Sequence, residues 1–175
     1  MDADPGKRAP EMGPYYAPDD YAGIFRRVVI LVVDGLALGL SGLVALALSE
    51  LLHTRAFVLG WLVFAYVYLA FLEATPIGTL GFLVTGVKVV TLKGERPSLL
   101  RMTFRLLLWI LGPINFLIDL YWMTGDDFRQ TLRDKCAGTL VIRKAAVPAG
   151  QGEITLKRYT LLSYCFVFYE IRRPA

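Results

Sequence analysis

VVILVVDGLALGLSGLVALAL, residues 28–48, runs for 21 residues with a single charge. A bilayer core takes about 20 residues of helix, so this stretch is long enough to span one. Its charge, Asp34, lies roughly 9 Å below Val28 along a helix axis. A carboxylate at that depth costs a few kcal/mol and faces protein or trapped water rather than lipid. Arg27 precedes it by seven residues, a rotation of about 700°, so the two share one stripe of the helix. About 10 Å of axis separates them, too far for direct contact without bent side chains or water. Asp34 therefore needs a partner from another segment or a second copy of the chain.

The whole chain shares this apolar character. Of its 175 residues 55% are hydrophobic, and the mean hydropathy is +0.51. That balance points to one membrane domain. The net charge of +4 sits beside apolar runs, a topology signal; a nucleic-acid reader needs a solvated basic face. Cys136 and Cys165 have neither metal-ligand nor redox spacing and read as plain thiols. No zinc spacing, phosphate-cradling loop or Ser-His-Asp set is visible, and His53, the only histidine, falls in a polar turn. The expectation is a non-enzyme with no cofactor and no metal.

Outward from the first span, residues 1–20 hold four prolines and no hydrophobic period, which predicts a disordered tail. Arg26 and Arg27 at the helix entrance predict a cytoplasmic N-terminus. Gly35 and Gly39 form a GxxxG, a pattern that permits close helix approach. Phe57 to Leu72 is a second apolar run, with Glu73 at its inner end. Val87 to Thr91 and Thr139 to Arg143 are β-branched and predict short strands, paired at the cytoplasmic surface. Leu99 to Met123 is apolar but cut by Gly112-Pro113. It reads as one kinked span, or as a re-entrant helical hairpin with its tip at Gly112-Pro113-Ile114-Asn115. Equally basic flanks favour the hairpin, because both then lie on one side. Residues 145–152 read as a linker, and 153–175 as surface strands or an interfacial extension.

The expected fold is a mainly α membrane protein. It has two transmembrane helices plus a broken re-entrant hairpin (or third and fourth short helices), and short cytoplasmic strands.

Four pieces in order carry a resemblance: YAGIFRRVVILVVD (21–34), GTLGFLVTGVKVV (78–90), RMTFR (101–105) and QTLRDKCAGTLVI (130–142). Together they resemble the RDD family of small integral membrane proteins, named for an Arg and two Asp. Arg27 and Asp34 stand at the family spacing, and Asp134 sits in its D-x-x-A-G-T pattern. Where the family often shows Pro and Lys, this chain has Leu80 and Phe82, so no role of that Lys carries over. The resemblance covers residues 21–144 and implies a bacterial inner-membrane location. It also implies cation/proton antiport, as proposed for some members.

Arg27, Asp34 and Asp134 are thus the signature or ion-site candidates, supported by Arg105, Asp119 and Glu73. Asp34 reads either as a proton- or cation-carrying carboxylate or as a hydrogen-bonded group that locks helix packing. Arg105 first and Arg27 second are the expected partners of Asp34, and Arg105 is the expected partner of Asp119. Asp134 reads as a helix cap or as the partner of Arg27. Two functions stay open: a cation or proton transport component, and a scaffold binding a partner protein or lipid. With so little wall in one copy, the first calls for a homo-oligomer or a membrane partner, beside the bilayer itself.

Overall fold

The computed structural model describes residues 11–110, 114–161 and 164–174. The described residues are mostly helical, with five short to medium strands among them. Helix α1, Ile24–Leu51, is 28 residues long. Helix α2, Ala56–Tyr66, runs through a π turn, Val67–Phe71, into α3, Leu72–Ala74, as one rod. A tight turn at His53, in the left-handed region (φ 50), reverses the chain between them.

These two rods, Ile24–Leu51 and Ala56–Ala74, are long and apolar enough to cross a membrane. Only 6% and 11% of their most apolar windows are buried by the rest of the chain. The core helix of a soluble domain would be covered on its apolar surface. Here Leu36, Leu40, Leu43 and Val63 stand open, which suits a hydrocarbon surrounding.

The only buried residues of α1 are Arg27 and Asp34, the two on the stripe the sequence defined. The Gly35-Gly39 pair is not used within the chain: a Cβ at either would meet nothing within 4 Å. Close approach occurs instead at Gly42, against the Trp61 ring, whose Nε1 donates to Ser41 Oγ at 3.1 Å. Another close crossing is at Gly81 in α4, Leu80–Thr85, where a Cβ would sit 2.8 Å from the Ile30 backbone.

Helix α4 packs on α1, and the strands and the helix Leu132–Ala137 are tied to the start of α1 through Tyr21, Ala22 and Arg27. Strand β2, Val87–Thr91, pairs antiparallel with β3, Thr139–Arg143, with Val89 opposite Val141. That pairing is the one the β-branched pattern predicts. Tyr21 bridges to Ile142, tying the start of α1 to this ribbon. Helices α5, Leu99–Ile110, and α6, Ile114–Thr124, are the two limbs expected either side of Gly112-Pro113. Gly112 and Pro113 themselves lie outside the described residues. Helix α7, Leu132–Ala137, lies against both limbs.

Two expectations at the chain ends need correction. Residues 11–20, read as disordered tail, hold strand β1, Met12–Tyr15, and a 3-10 turn, Pro18–Asp20; residues 1–10 lie outside the described part. The linker read at 145–152 ends early, because β4, Gly150–Leu161, begins inside it. Strand β1 pairs with β4, and β4 with β5, Tyr164–Arg172, in the order β1-β4-β5. Proline hid the first strand because it lacks a ladder donor, yet an edge strand tolerates it: Pro14 sits opposite Gln151. The tyrosines complete the anchoring, with the Tyr21 hydroxyl accepting from Tyr16 N at 2.9 Å.

The Gly81 crossing gives a contrast to measure. Gly81→Ala should cost about 1–3 kcal/mol through forced overpacking. Gly35→Ala and Gly39→Ala should leave the thermal midpoint of the detergent-solubilised protein unchanged or slightly raised. Equal effects at the three glycines would contradict this packing.

Candidate functional site

The polar centre is built around α7. Its N-cap is Thr131, whose Oγ1 accepts from Asp134 N at 3.2 Å, while Asp134 Oδ2 accepts from Thr131 N at 3.2 Å. This reciprocal capping box fixes the Asp134 carboxylate at a helix start. Both of its oxygens then meet arginine: Oδ2 lies 2.6 Å from Arg27 Nη2, and Oδ1 lies 2.8 Å from Arg105 Nε. The Arg105 contact is close in distance but off the hydrogen-bond direction, so its strength is coulombic. Arg27 is fixed further by donating to Ala22 O and Arg129 O. Arg105 reaches on with Nη1 to Glu73 Oε2 at 3.0 Å. The Asp134 side chain is wholly buried, and both arginines are nearly so.

Burial alone would raise the Asp134 carboxyl. The guanidiniums of Arg105, Arg27 and Arg133 outweigh it and hold the group well below the usual carboxylate range. One carboxylate thereby joins three segments, because Arg27 belongs to α1, Arg105 to α5 and the Asp itself to α7.

Asp34 is satisfied differently. Its Oδ1 accepts from the Tyr68 hydroxyl at 2.7 Å and from Gly81 N at 2.8 Å. Its Oδ2 accepts from Thr79 Oγ1 at 2.7 Å. No arginine reaches it among the described residues, which corrects the expectation of an Arg105 or Arg27 partner. Two local features bring these donors in. The π turn carries Tyr68, whose hydroxyl also accepts from Leu80 N at 3.0 Å. Thr79 caps α4 and presents the Gly81 amide at that helix start. A carboxylate facing the free amides of a helix start is favoured by the helix dipole as well as by hydrogen bonds.

Asp119 is the second correction. It does not meet Arg105; its Oδ2 lies 3.0 Å from Arg133 Nε, and its Oδ1 accepts from Arg133 N at 3.3 Å. Arg105 goes to Asp134 and Glu73 because it sits on the face of α5 turned toward α7 and the inner end of the second rod. Glu73, expected chiefly to mark a span end, is thus a member of the network.

Between these groups lies a cleft of roughly 100 Å³. Its polar wall carries Arg27, Asp34, Glu73, Arg105, Asp119 and Arg133, and Leu38, Leu69 and Trp109 close its apolar side. That volume holds several waters. Counting Asp134 behind the wall, four carboxylates (Asp34, Glu73, Asp119, Asp134) stand with three guanidiniums (Arg27, Arg105, Arg133). The ionised set carries one uncompensated negative charge. Among the described residues no group of three or more His, Cys, Asp or Glu forms a metal-holding cluster.

Four residues of this site were missed in the sequence: Tyr68, Thr79, Gly81 and Arg133. Thr79 was findable as a cap before an apolar turn, and Tyr68 as a hydroxyl deep in the second apolar run. Gly81 and Arg133 had no local signal, because their roles depend on which helices touch.

A second ion cluster lies on the other side of α7. Lys135 Nζ is 2.5 Å from Asp126 Oδ1 and 2.9 Å from Glu170 Oε2, and it donates to the Tyr159 hydroxyl at 3.1 Å. Tyr159 also donates to Glu170, and Lys157 pairs with that carboxylate at 2.9 Å. Burial would raise the Glu170 carboxyl, but bonds from Tyr159, Lys135 and Lys157 hold it below its ordinary value. The β4–β5 hairpin is fastened to the helical part through this cluster.

A sequence model described as RDD family matches residues 21–138. No curated protein and no solved structure matches the chain.

Both lowered carboxyls fix the sign of the acid response. A group whose folded pKa lies below its unfolded value stabilises above the unfolded value and loses that contribution as pH falls through the folded one. The thermal midpoint in detergent should therefore hold from neutral pH to about pH 5 and fall below about pH 4. Glu170→Gln should lower the neutral midpoint and shrink the acid-side drop. Asp134→Asn should cost about 3–5 kcal/mol by leaving the buried Arg27 without a carboxylate and Arg105 with Glu73 alone. Exchanging Asp134, Arg27 and Arg105 together for apolar residues should cost less than Asp134→Asn alone. A flat midpoint down to pH 2 would refute the electrostatic account.

Proposed function

This chain belongs to the RDD family, and from that membership we propose that it handles a proton or a small monovalent cation in the cleft beside Asp34. The observation that carries this reading is the charge of the cleft. Three carboxylates and three guanidiniums line a space of roughly 100 Å³, Asp134 behind its wall adds a fourth carboxylate that touches Arg27 and Arg105, and one proton or one monovalent cation balances the whole set. Asp34 is the residue best placed to exchange it. Its three donors are neutral, and it lies deepest along α1, where the cleft passes Gly35 and Leu38 into the apolar region. Glu73 and Asp119 line the same space closer to the polar end.

The topology that goes with this reading places the polar end and the N-terminus in the cytoplasm of a bacterial cell, with the protein in the inner membrane. Helices α5 and α6 then form a re-entrant hairpin. Support comes from where the limbs begin and end. Helix α5 follows the β2 ribbon and α6 leads back to α7, so both limbs open at the same end. Each is about 16–18 Å long at helical rise, too short to span comfortably. Broken backbone at such depth is tolerated where it is buried in protein or lines a wet cavity. A complete pathway would need walls from a second copy or a membrane partner.

A second reading has its own observation. Each carboxylate of the network already meets an arginine or three donors, so the cluster also serves a scaffold that transports nothing. Ion pairing of this kind can act as packing alone.

Flux measurement separates the two. In proteoliposomes carrying a cation gradient, the wild type should dissipate or build a pH difference, and Asp34→Asn should reduce it to the leak of empty vesicles while the protein stays folded. A wild type indistinguishable from empty vesicles would leave the scaffold reading. For topology, a cysteine at Thr54 should label from outside the cell and one at Arg143 should not. External labelling at 143 would overturn the even-crossing arrangement.

A further inference from the structure

The β4–β5 hairpin lies beyond the part of the chain matched to the family, and its two faces differ. One face is clamped. Tyr159, Phe166 and Phe168 surround Trp122 of α6, and Glu170 holds Lys135. The register puts Leu156 opposite Tyr169 and Arg158 opposite Val167 on the other face. There Leu156, Val167 and Tyr169 are 60%, 50% and 58% exposed. Ile154 and Tyr169 of this face border a groove of roughly 850 Å³, and Leu100, Arg101 and Phe104 of α5 form its far wall.

Three observations say what fills this surface. The first is continuity. Leu100, Phe104 and Leu107 stand at i, i+4 and i+7 on α5, all exposed, so one apolar stripe descends from the groove along the hairpin limb. That direction leads along the membrane-embedded part, as the bilayer reading of the helices requires. The second is composition: aromatic and branched apolar side chains interleaved with arginine suit the headgroup level of a membrane. The third is charge. Lys93 is tied to Glu11 and Lys135 to Glu170, which leaves Arg101 and Glu95 in the groove. The sheet face adds Arg158, which has no ion pair among the described residues, and no acid. A second copy docking face to face would set arginine against arginine.

We propose that the outer face of the β4–β5 hairpin, with the N-terminal turns of α5, is a seat for anionic phospholipid at the membrane interface. Leu156, Val167, Tyr169 and Phe104 meet the upper acyl region, and Arg101 and Arg158 meet the headgroup phosphate. The hairpin is thereby held from both sides, by α6 and α7 within the chain and by lipid outside it. Juxtamembrane arginines near an anionic surface each contribute about a fivefold preference for it.

Spin labels at Leu156→Cys and Val167→Cys, in the full chain with Cys136→Ser and Cys165→Ser, test the seat. The protein is reconstituted in phosphatidylethanolamine–phosphatidylglycerol vesicles and, separately, in phosphatidylcholine vesicles. In the anionic vesicles both labels should collide more with oxygen than with a water-soluble nickel reagent. Arg158→Glu should return them toward water, about 25-fold less favourably seated once the attraction becomes a repulsion. A label at Thr54→Cys serves as the aqueous reference. Labels open to the nickel reagent in both vesicle types would overturn the proposal. So would labels shielded from both reagents, which would mean a protein partner or a second copy covers the face. Immersion equal in the two lipids and indifferent to Arg158→Glu would overturn the anionic assignment.

Discussion

A single carboxylate, wholly buried and gripped by two arginines from different helices, is what the polar half of this protein is built on. Asp134 meets Arg27 at 2.6 Å and Arg105 at 2.8 Å. Burying three charges is costly unless each finds its opposite in good geometry. The chain meets that condition locally and over long range. The capping box with Thr131 fixes the carboxylate locally, and the first long helix has to sit at one height to deliver Arg27 to it. The ribbon of β2 and β3 enforces that height, because Tyr21 and Ala22 bond to it immediately before α1 begins.

Asp34 illustrates how a different solution serves the apolar region. Donation from two hydroxyls and one amide satisfies a carboxylate without bringing a second charge into the membrane. The π turn in the second rod is part of this arrangement. An extra residue in a helical turn changes which side chains face inward, and here the turn contains Tyr68. Gly81 completes the arrangement, since any side chain there would strike both Ile30 and the carboxylate. The result is a carboxylate with neutral donors at the deep end of a cleft and charged pairs at its mouth.

Helix α7 is short, but adjacent residues on it, about 100° apart, reach different neighbours. Asp134 meets α1 and α5, whereas Lys135 meets Asp126 in the loop after α6 and Glu170 of the C-terminal hairpin. The hairpin is therefore mechanically close to the arginine network although it lies far along the sequence. Its clamp is itself ionic and aromatic, with Trp122 packed among Tyr159, Phe166 and Phe168.

Much of the architecture was determined by the sequence alone. The two long apolar runs, the stripe shared by Arg27 and Asp34, the pairing of Val87–Thr91 with Thr139–Arg143 and the family are all legible without coordinates. Each depends on a local period or on an ordered set of motifs. The Arg27–Asp134 contact was within reach, since both residues fall at the same end of their helices. Tertiary structure alone decided which arginine meets which acid. Arg105, Asp34 and Asp119 have compatible depths in the sequence, and only helix rotation and the π turn separate them. It also decided that residues 12–15 are a strand, because their partner, Gly150–Glu153, is more than a hundred residues away. Charge pairing and sheet pairing are properties of surfaces that meet, and a sequence reports only the surfaces.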